Sequence, residues 1–261
     1  NTSSIPIEIL SQKLADPSRL VGIHFFNPVA QLQLVEVVQG ASTRLQAVHD
    51  ALKFTRKLDK LPLPCKSAPG FVVNRILTPY INEALFALEA AIPAAVIDRV
   101  AERFGMPMGP IELTDVVGLD VSLHVGRVLS EAFDREVPQI LVRLVEQKKL
   151  GRKSGEGFYR WQDGKAQKPQ SDQADPPDLE DRLILGMVNE AVACVREGTV
   201  QDADLLDAGA VFATGFAPFR GGPLQYAKDR GIANVTRRLN ELADRYGERF
   251  RPDAGWSLFP A

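Results

Sequence analysis

The chain has 261 residues, with 31 Lys and Arg against 33 Asp and Glu, a formal net charge of −2 and 45% hydrophobic residues. That is ordinary globular usage, and a chain of this length buries roughly 70–75% of its unfolded surface without a metal or disulfide staple. The balanced charge lacks the basic stripe of a nucleic-acid binder, and no apolar run approaches the ~18 residues of a membrane span.

Asn1-Thr2-Ser3-Ser4-Ile5-Pro6 opens the sequence without an initiating Met, a basic region or an apolar region. It is therefore read as the start of a fragment and not as a secretory signal. Ile5 to Leu14 has helical character. Leu20-Val21-Gly22-Ile23-His24-Phe25-Phe26, closed by Asn27-Pro28, reads as a buried strand. Leu32 to Val38, closed by Gly40, reads as a second. Thr43 to Leu58 carries Leu45, Val48, Leu52, Phe54 and Leu58 at helical spacing. Leu61 to Cys65 is short and extended, its two prolines suiting a sheet edge or strand end. Strands alternating with a helix predict the tail of a βαβ sheet over residues 1–66.

From about Pro69 helical patterns take over: Phe71–Ala90, Ala94–Phe104, Ile111–Val117, Val121–Phe133 and Pro138–Gln147. Gly105 to Pro110 is a turn between two of them, and Gly155 to Trp161 runs from a loop into an aromatic extended segment. These form a first helical domain over 67–161. Residues 162–179, rich in Pro, Asp and Gln, read as an exposed linker to a second helical domain at 180–261. Arg75 and Arg182 each open the pattern R-x6-N-E-A, ending at Asn82-Glu83-Ala84 and Asn189-Glu190-Ala191, 107 residues apart. Each is followed by an acid-marked helix (Asp98; Asp204) and a Gly/Pro turn (Gly105 to Pro110; Gly215 to Pro223). This order predicts an internal duplication of a helical unit.

His24 is the residue best suited to chemistry. A histidine at the end of a sheet strand exchanges protons near neutral pH and faces the crevice where open α/β sheets bind ligands. The alternative is a core histidine bonded to backbone. Glu36 lies in Leu34-Val35-Glu36-Val37-Val38, where a buried charge is costly unless paired. A His and a Glu on neighbouring strands could form a dyad, though taken alone Glu36 reads first as a strand-edge residue facing solvent. Ser3 reads first as a helix N-cap. Asn74, early in an apolar helix start, reads either as a cap or as a side chain reaching into a cleft. His49 and His124 read as structural. Cys65 and Cys194 are too few for a disulfide framework and suit a reducing compartment as isolated buried thiols. No CxxC, HExxH, GxSxG or P-loop is present, so no metal site is expected. Gly155-Glu156-Gly157 lacks the third glycine of a dinucleotide fingerprint.

Taken together, Asn1 to Ser4, Gly22-Ile23-His24-Phe25-Phe26-Asn27-Pro28-Val29, Leu34 to Val38, Pro69-Gly70-Phe71-Val72-Val73-Asn74-Arg75, Pro107 to Pro110 and Gly155 to Tyr159 resemble the L-3-hydroxyacyl-CoA dehydrogenase family. The order spans nearly the whole chain. The duplicated helical region resembles the long form found in multifunctional fatty-acid oxidation proteins. The resemblance implies the C-terminal part of a Rossmann-like NAD-binding domain (1–66) followed by two mainly α-helical domains. It implies oxidation of an L-3-hydroxyacyl-CoA to the 3-ketoacyl-CoA, with His24 as catalytic base and Glu36 orienting it. Ser3 and Asn74 would hold the substrate, and Asn27 and Ser3 would lie at the NAD side. The family's first βαβ unit, with its glycine fingerprint, is expected to precede Asn1, and without it the fragment alone is expected to be inactive. An acyl-CoA thioester is the implied substrate, thiolase and hydratase the implied partners, and the cytoplasm the implied location. A non-catalytic assembly module of a β-oxidation complex, or an NAD-linked dehydrogenase of a 3-hydroxy acid without CoA, are the alternatives. NAD reduction with a thioester and with the free acid separates them.

Overall fold

The computed structural model describes residues 6–259. In chain order the helices and strands are α1 (Ile7–Ser11), β1 (Gly22–Phe25), β2 (Leu34–Gln39), α2 (Leu45–Lys57), β3 (Leu61–Lys66), α3 (Val73–Glu89), α4 (Ala94–Phe104), α5 (Pro110–Val117), α6 (Leu119–Phe133) and α7 (Gln139–Glu146). They continue as β4 (Arg160–Gln162), β5 (Lys165–Gln167), α8 (Leu179–Arg196), α9 (Ala203–Thr214), α10 (Pro223–Arg230) and α11 (Ile232–Tyr246). The chain divides into two compact units interleaved along the sequence, one of residues 1–76, 189–234 and 253–261, the other of residues 77–188 and 235–252.

The first unit is built on the sheet β1-β2-β3, in which β1 runs antiparallel to β2 and β3 parallel to it. Residues 34–38 of β2 are buried on both faces, as a near-continuous apolar run requires. Val37 points to one face, where Val48 and Ala51 of amphipathic α2 cover it. α9 also packs on the sheet. It comes so close that a Cβ on Gly209 would lie 2.8 Å from Leu63 Cδ2, so a larger residue there would require that side chain to shift. The segment after α8 joins too, with Lys66 N–H donating to Thr199 O at 2.8 Å. In this unit the Arg75 guanidinium is buried against Glu190 and Glu197, each at 2.6 Å.

The second unit is helical, with the β4-β5 hairpin as its extended part. Here Arg182 meets Glu83 at 2.6 Å, and Arg249 meets the other oxygen of Glu83 at 2.7 Å. Asp98, on α4, accepts the first free amides of α5, from Ile111 at 2.8 Å and Glu112 at 3.2 Å, and the Tyr159 hydroxyl at 2.8 Å. In the first unit Asp207 does the same for α10, accepting from Leu224 at 2.7 Å and Gln225 at 2.9 Å.

Several expectations are adjusted. The helix expected over Ile5–Leu14 is the short α1. α3 starts two residues later than expected, because Gly70 and Phe71 are left-handed, with φ of 72° and 51°. The sequence matched Asp98 with Asp204, but the residue that shares its position and work is Asp207. Asp204 lies in the first turn of α9, which is capped by Asp202. Within residues 162–179, read as a linker, β5 forms, and Asp175 accepts from Arg99 at 2.7 Å.

Candidate active site

β1 ends in His24-Phe25 and β2 carries Glu36 at its middle. The antiparallel register sets His24 directly opposite Glu36. Cross-strand neighbours on one face are close enough for side chains to touch, and these do. His24 Nδ1 lies 2.7 Å from Glu36 Oε2, with the glutamate fully buried and the histidine nearly so. The twelve-residue separation read in the sequence is thus closed by the two strands and the loop between them.

A buried carboxylate needs donors for both oxygens. Glu36 Oε1 accepts two, the N–H groups of Val72 and Val73, both at 2.9 Å. These amides open α3, so the carboxylate also sits at the positive end of a helix, where a negative charge is favoured. Three donors and a helix terminus offset the cost of burying Glu36. One further effect reaches β3: burial, and then the Glu36 charge, push the Cys65 thiol well above its usual range, so this cysteine stays protonated and inert.

Histidine has two ring nitrogens, and the one hydrogen-bonded to a carboxylate carries the proton. With Nδ1–H donating to Glu36, Nε2 is left as the acceptor. Phe26 and Phe71 stand edge-to-face to the imidazole, with ring centroids 4.7 and 5.5 Å away. This arrangement can take a proton from a bound hydroxyl through Nε2 and share the resulting charge with Glu36.

Of the other site residues singled out by sequence, Asn27 and Asn74 lie among the described residues. Asn27 is exposed in the turn just after β1, joined to Pro28 by a cis peptide bond. The loop that follows is held by Lys60, whose Nζ donates to Val29 O at 2.7 Å and Leu32 O at 2.8 Å. Asn74 sits half-buried in the first turn of α3, directly after the two amides that grip Glu36. Ser3 lies outside the described residues. Sequence reasoning missed Val72 and Val73, because they act through backbone that no side-chain pattern announces. The Pro69-Gly70 turn ahead of a helix start was the available signal.

Residues 1–68 match the family model "3-hydroxyacyl-CoA dehydrogenase, NAD binding domain", and residues 70–161 match "3-hydroxyacyl-CoA dehydrogenase, C-terminal domain". The chain is 37% identical over 269 aligned residues to a fatty acid oxidation complex subunit alpha from Vibrio cholerae, covering 98% of this chain. It spans 38% of the length of that curated relative. Among solved structures, 3-hydroxybutyryl-CoA dehydrogenase from Escherichia coli K12 superposes with a TM-score of 0.84 at 27% identity, over 99% of this chain and 74% of the other. The dehydrogenase part of multifunctional enzyme 1 from C. elegans superposes with a TM-score of 0.68 at 26% identity, over 100% of this chain and 64% of the other. Two successive family domains, a like-folded dehydrogenase and a buried His–Glu pair inside the first matched segment make one conclusion: the chain belongs to the 3-hydroxyacyl-CoA dehydrogenase family.

Proposed function

We propose that the protein carrying this chain oxidises L-3-hydroxyacyl-CoA thioesters to 3-ketoacyl-CoA with NAD, and that His24 is the base. The single observation that carries the reading is the 2.7 Å contact between His24 Nδ1 and Glu36 Oε2, which commits Nε2 to accepting a proton. As the substrate hydroxyl gives its proton to Nε2, its oxygen forms the second bond to C3, and the C3 hydrogen leaves with its electron pair. NAD, when bound, supplies the acceptor for that hydride. The residues present fit a nicotinamide at this strand end, since Asn27 offers an exposed amide three residues past His24. Asn27 and Ser3 are assigned to the NAD side, and Ser3 and Asn74 to the substrate. Asn74 suits a thioester or 3-oxygen because the Glu36 grip on Val72 and Val73 fixes the helix turn that bears it.

The helical region is read as two copies of one unit, in a division of 1–66, 67–161, a linker at 162–179, and 180–261. Two observations support this. The Arg of each R-x6-N-E-A pattern pairs with the Glu of the other, Arg75 with Glu190 and Arg182 with Glu83. Asp98 and Asp207 cap equivalent helices beside Gly109-Pro110 and Gly222-Pro223. Hydratase and thiolase partners and a cytoplasmic location belong to the same reading. Among the described residues no helix is long and apolar enough to cross a membrane.

The test is His24→Gln in the intact protein, with 3-hydroxybutyryl-CoA and NAD. The expected result is a fall in kcat of about 10²–10⁴-fold with KM changed far less, the signature of a lost general base. Turnover within a few-fold of the parent would remove His24 from the mechanism.

A further inference from the structure

The imidazole of His24 is held by more than its carboxylate. Phe71 is buried, its ring stands edge-on to the imidazole at 63°, and its backbone is left-handed, with φ of 51°. A bulky L residue rarely adopts that conformation, and it persists only where the surroundings over-determine it. Two sets of bonds do so here. Phe71 N–H donates back to Ala68 O at 2.9 Å, closing a tight turn through Gly70. The next two amides, of Val72 and Val73, both point at Glu36 Oε1. Relaxing φ at residue 71 would swing those amides off the carboxylate. A glycine would adopt the same φ without strain. The presence of an aromatic ring at such a position therefore calls for a separate reason, and the ring's contact with His24 supplies one.

We infer that Phe71 is a positioning residue for His24, fixing the imidazole plane with its ring and the Glu36 carboxylate with its left-handed backbone. The inference rests on the reading of His24 as the base. The two tasks can be separated by substitution. Phe71→Gly keeps the backbone geometry and removes the ring. Phe71→Leu keeps an apolar side chain of similar bulk without the flat edge. Phe71→Tyr restores the ring.

The experiment compares these three variants and His24→Gln by steady-state kinetics with 3-hydroxybutyryl-CoA and NAD. It adds ¹⁵N spectra of histidine-labelled protein without ligands, in which the His24 nitrogens are assigned by their loss in His24→Gln. Phe71→Leu and Phe71→Gly are each expected to lower kcat about tenfold, with both KM values within about twofold, because a base that samples other planes is misaligned but not absent. In both, the His24 nitrogen signals should shift or broaden, and Phe71→Tyr should return kcat and spectrum to the parent's. Parental kcat and unshifted His24 signals in Phe71→Gly or Phe71→Leu would overturn the inference. If Phe71→Leu does not fold, Phe71→Gly, which relieves the backbone, decides alone. Normal turnover in His24→Gln would instead sink the reading of the site, while the nitrogen spectra would still show whether Phe71 holds the ring.

Discussion

Glu36 has two carboxylate oxygens and three donors to satisfy, and that arithmetic makes it hard to replace. In Glu36→Gln a single oxygen remains. If it stays with Val72 and Val73, the new NH₂ faces His24 Nδ1, which must then accept, and the ring proton moves to Nε2. His24, proposed above as the base, is then in the wrong tautomer while the packing is kept. Glu36→Gln is therefore expected to lower kcat by about 10²–10⁴-fold with little change in KM, and to move the His24 ¹⁵N shifts to the other tautomer. Unchanged kcat with an unchanged tautomer would refute this. At this scale the sequence was informative about the pair and silent about its setting. A charge inside Leu34-Val35-Glu36-Val37-Val38 demands a partner, and His24 was the candidate on the preceding strand. The grip of the α3 amides depends on two successive left-handed residues, one of them Phe71, which no propensity scale favours.

Between elements, close approach and buried pairing set the tolerances. A Cβ on Gly109 would sit 2.2 Å from Asp98 Cβ and Cγ, so α5 can start on the Asp98 carboxylate only if residue 109 is glycine. Gly109→Ala is expected to cost about 1–3 kcal/mol, read as a lower urea midpoint at unchanged slope. The Arg75–Glu190 pair is buried on both sides, with side-chain exposures of 2% and 5%. Removing the arginine alone takes from the buried Glu190 carboxylate the cation 2.6 Å away. Arg75→Met should therefore destabilise by about 3–5 kcal/mol, and Arg75→Met with Glu190→Leu by clearly less than the two single changes summed. An additive double variant would mean that the pair is not coupled. The elements themselves were largely legible. β2 is apolar apart from Glu36 and the terminal Gln39 because it is covered on both faces, and α4 carries a clean helical stripe. On α2 the covered residues are Val48, Ala51 and Thr55, whereas Leu45 and Phe54, which the spacing placed on the apolar stripe, are exposed. Two things escaped. The work of Asp98 and Asp207 is done across a turn, where spacing alone paired Asp98 with Asp204. β5 lies in a polar segment whose hairpin partner, Arg160–Gln162, is equally short.

For the molecule as a whole, the two capping aspartates give stability a pH dependence of unusual sign. Burial pushes Asp98 up to about 6 and Asp207 up to about 6, from an ordinary 3.8. Between those values the folded chain binds protons that the unfolded chain has released. Each group's contribution is thus fullest below pH ~4 and is lost as pH rises through about 6, by up to about 3 kcal/mol apiece. The expected observation is a difference between variants: in Asp98→Asn and Asp207→Asn, urea midpoints measured from pH 5 to pH 7.5 should fall less steeply than the parent's. Parallel curves would contradict the assignment. One aspartate lies in each compact unit, so both units should show the effect.

The crossed arginines and glutamates also constrain where the chain can be cut. Ended after Trp161, it would keep Arg75 and Glu83 but lose Glu190, Glu197, Arg182 and Arg249, the ion-pair partners of a cation and an anion on the same helix. On the proposed duplication, an identical molecule offers counterparts of the missing groups: its Glu83 would answer Arg75 and its Arg75 would answer Glu83, the self-complementary exchange of a twofold interface. Such a truncated chain is expected to elute as a dimer in gel filtration, and Arg75→Met within it to elute as a monomer.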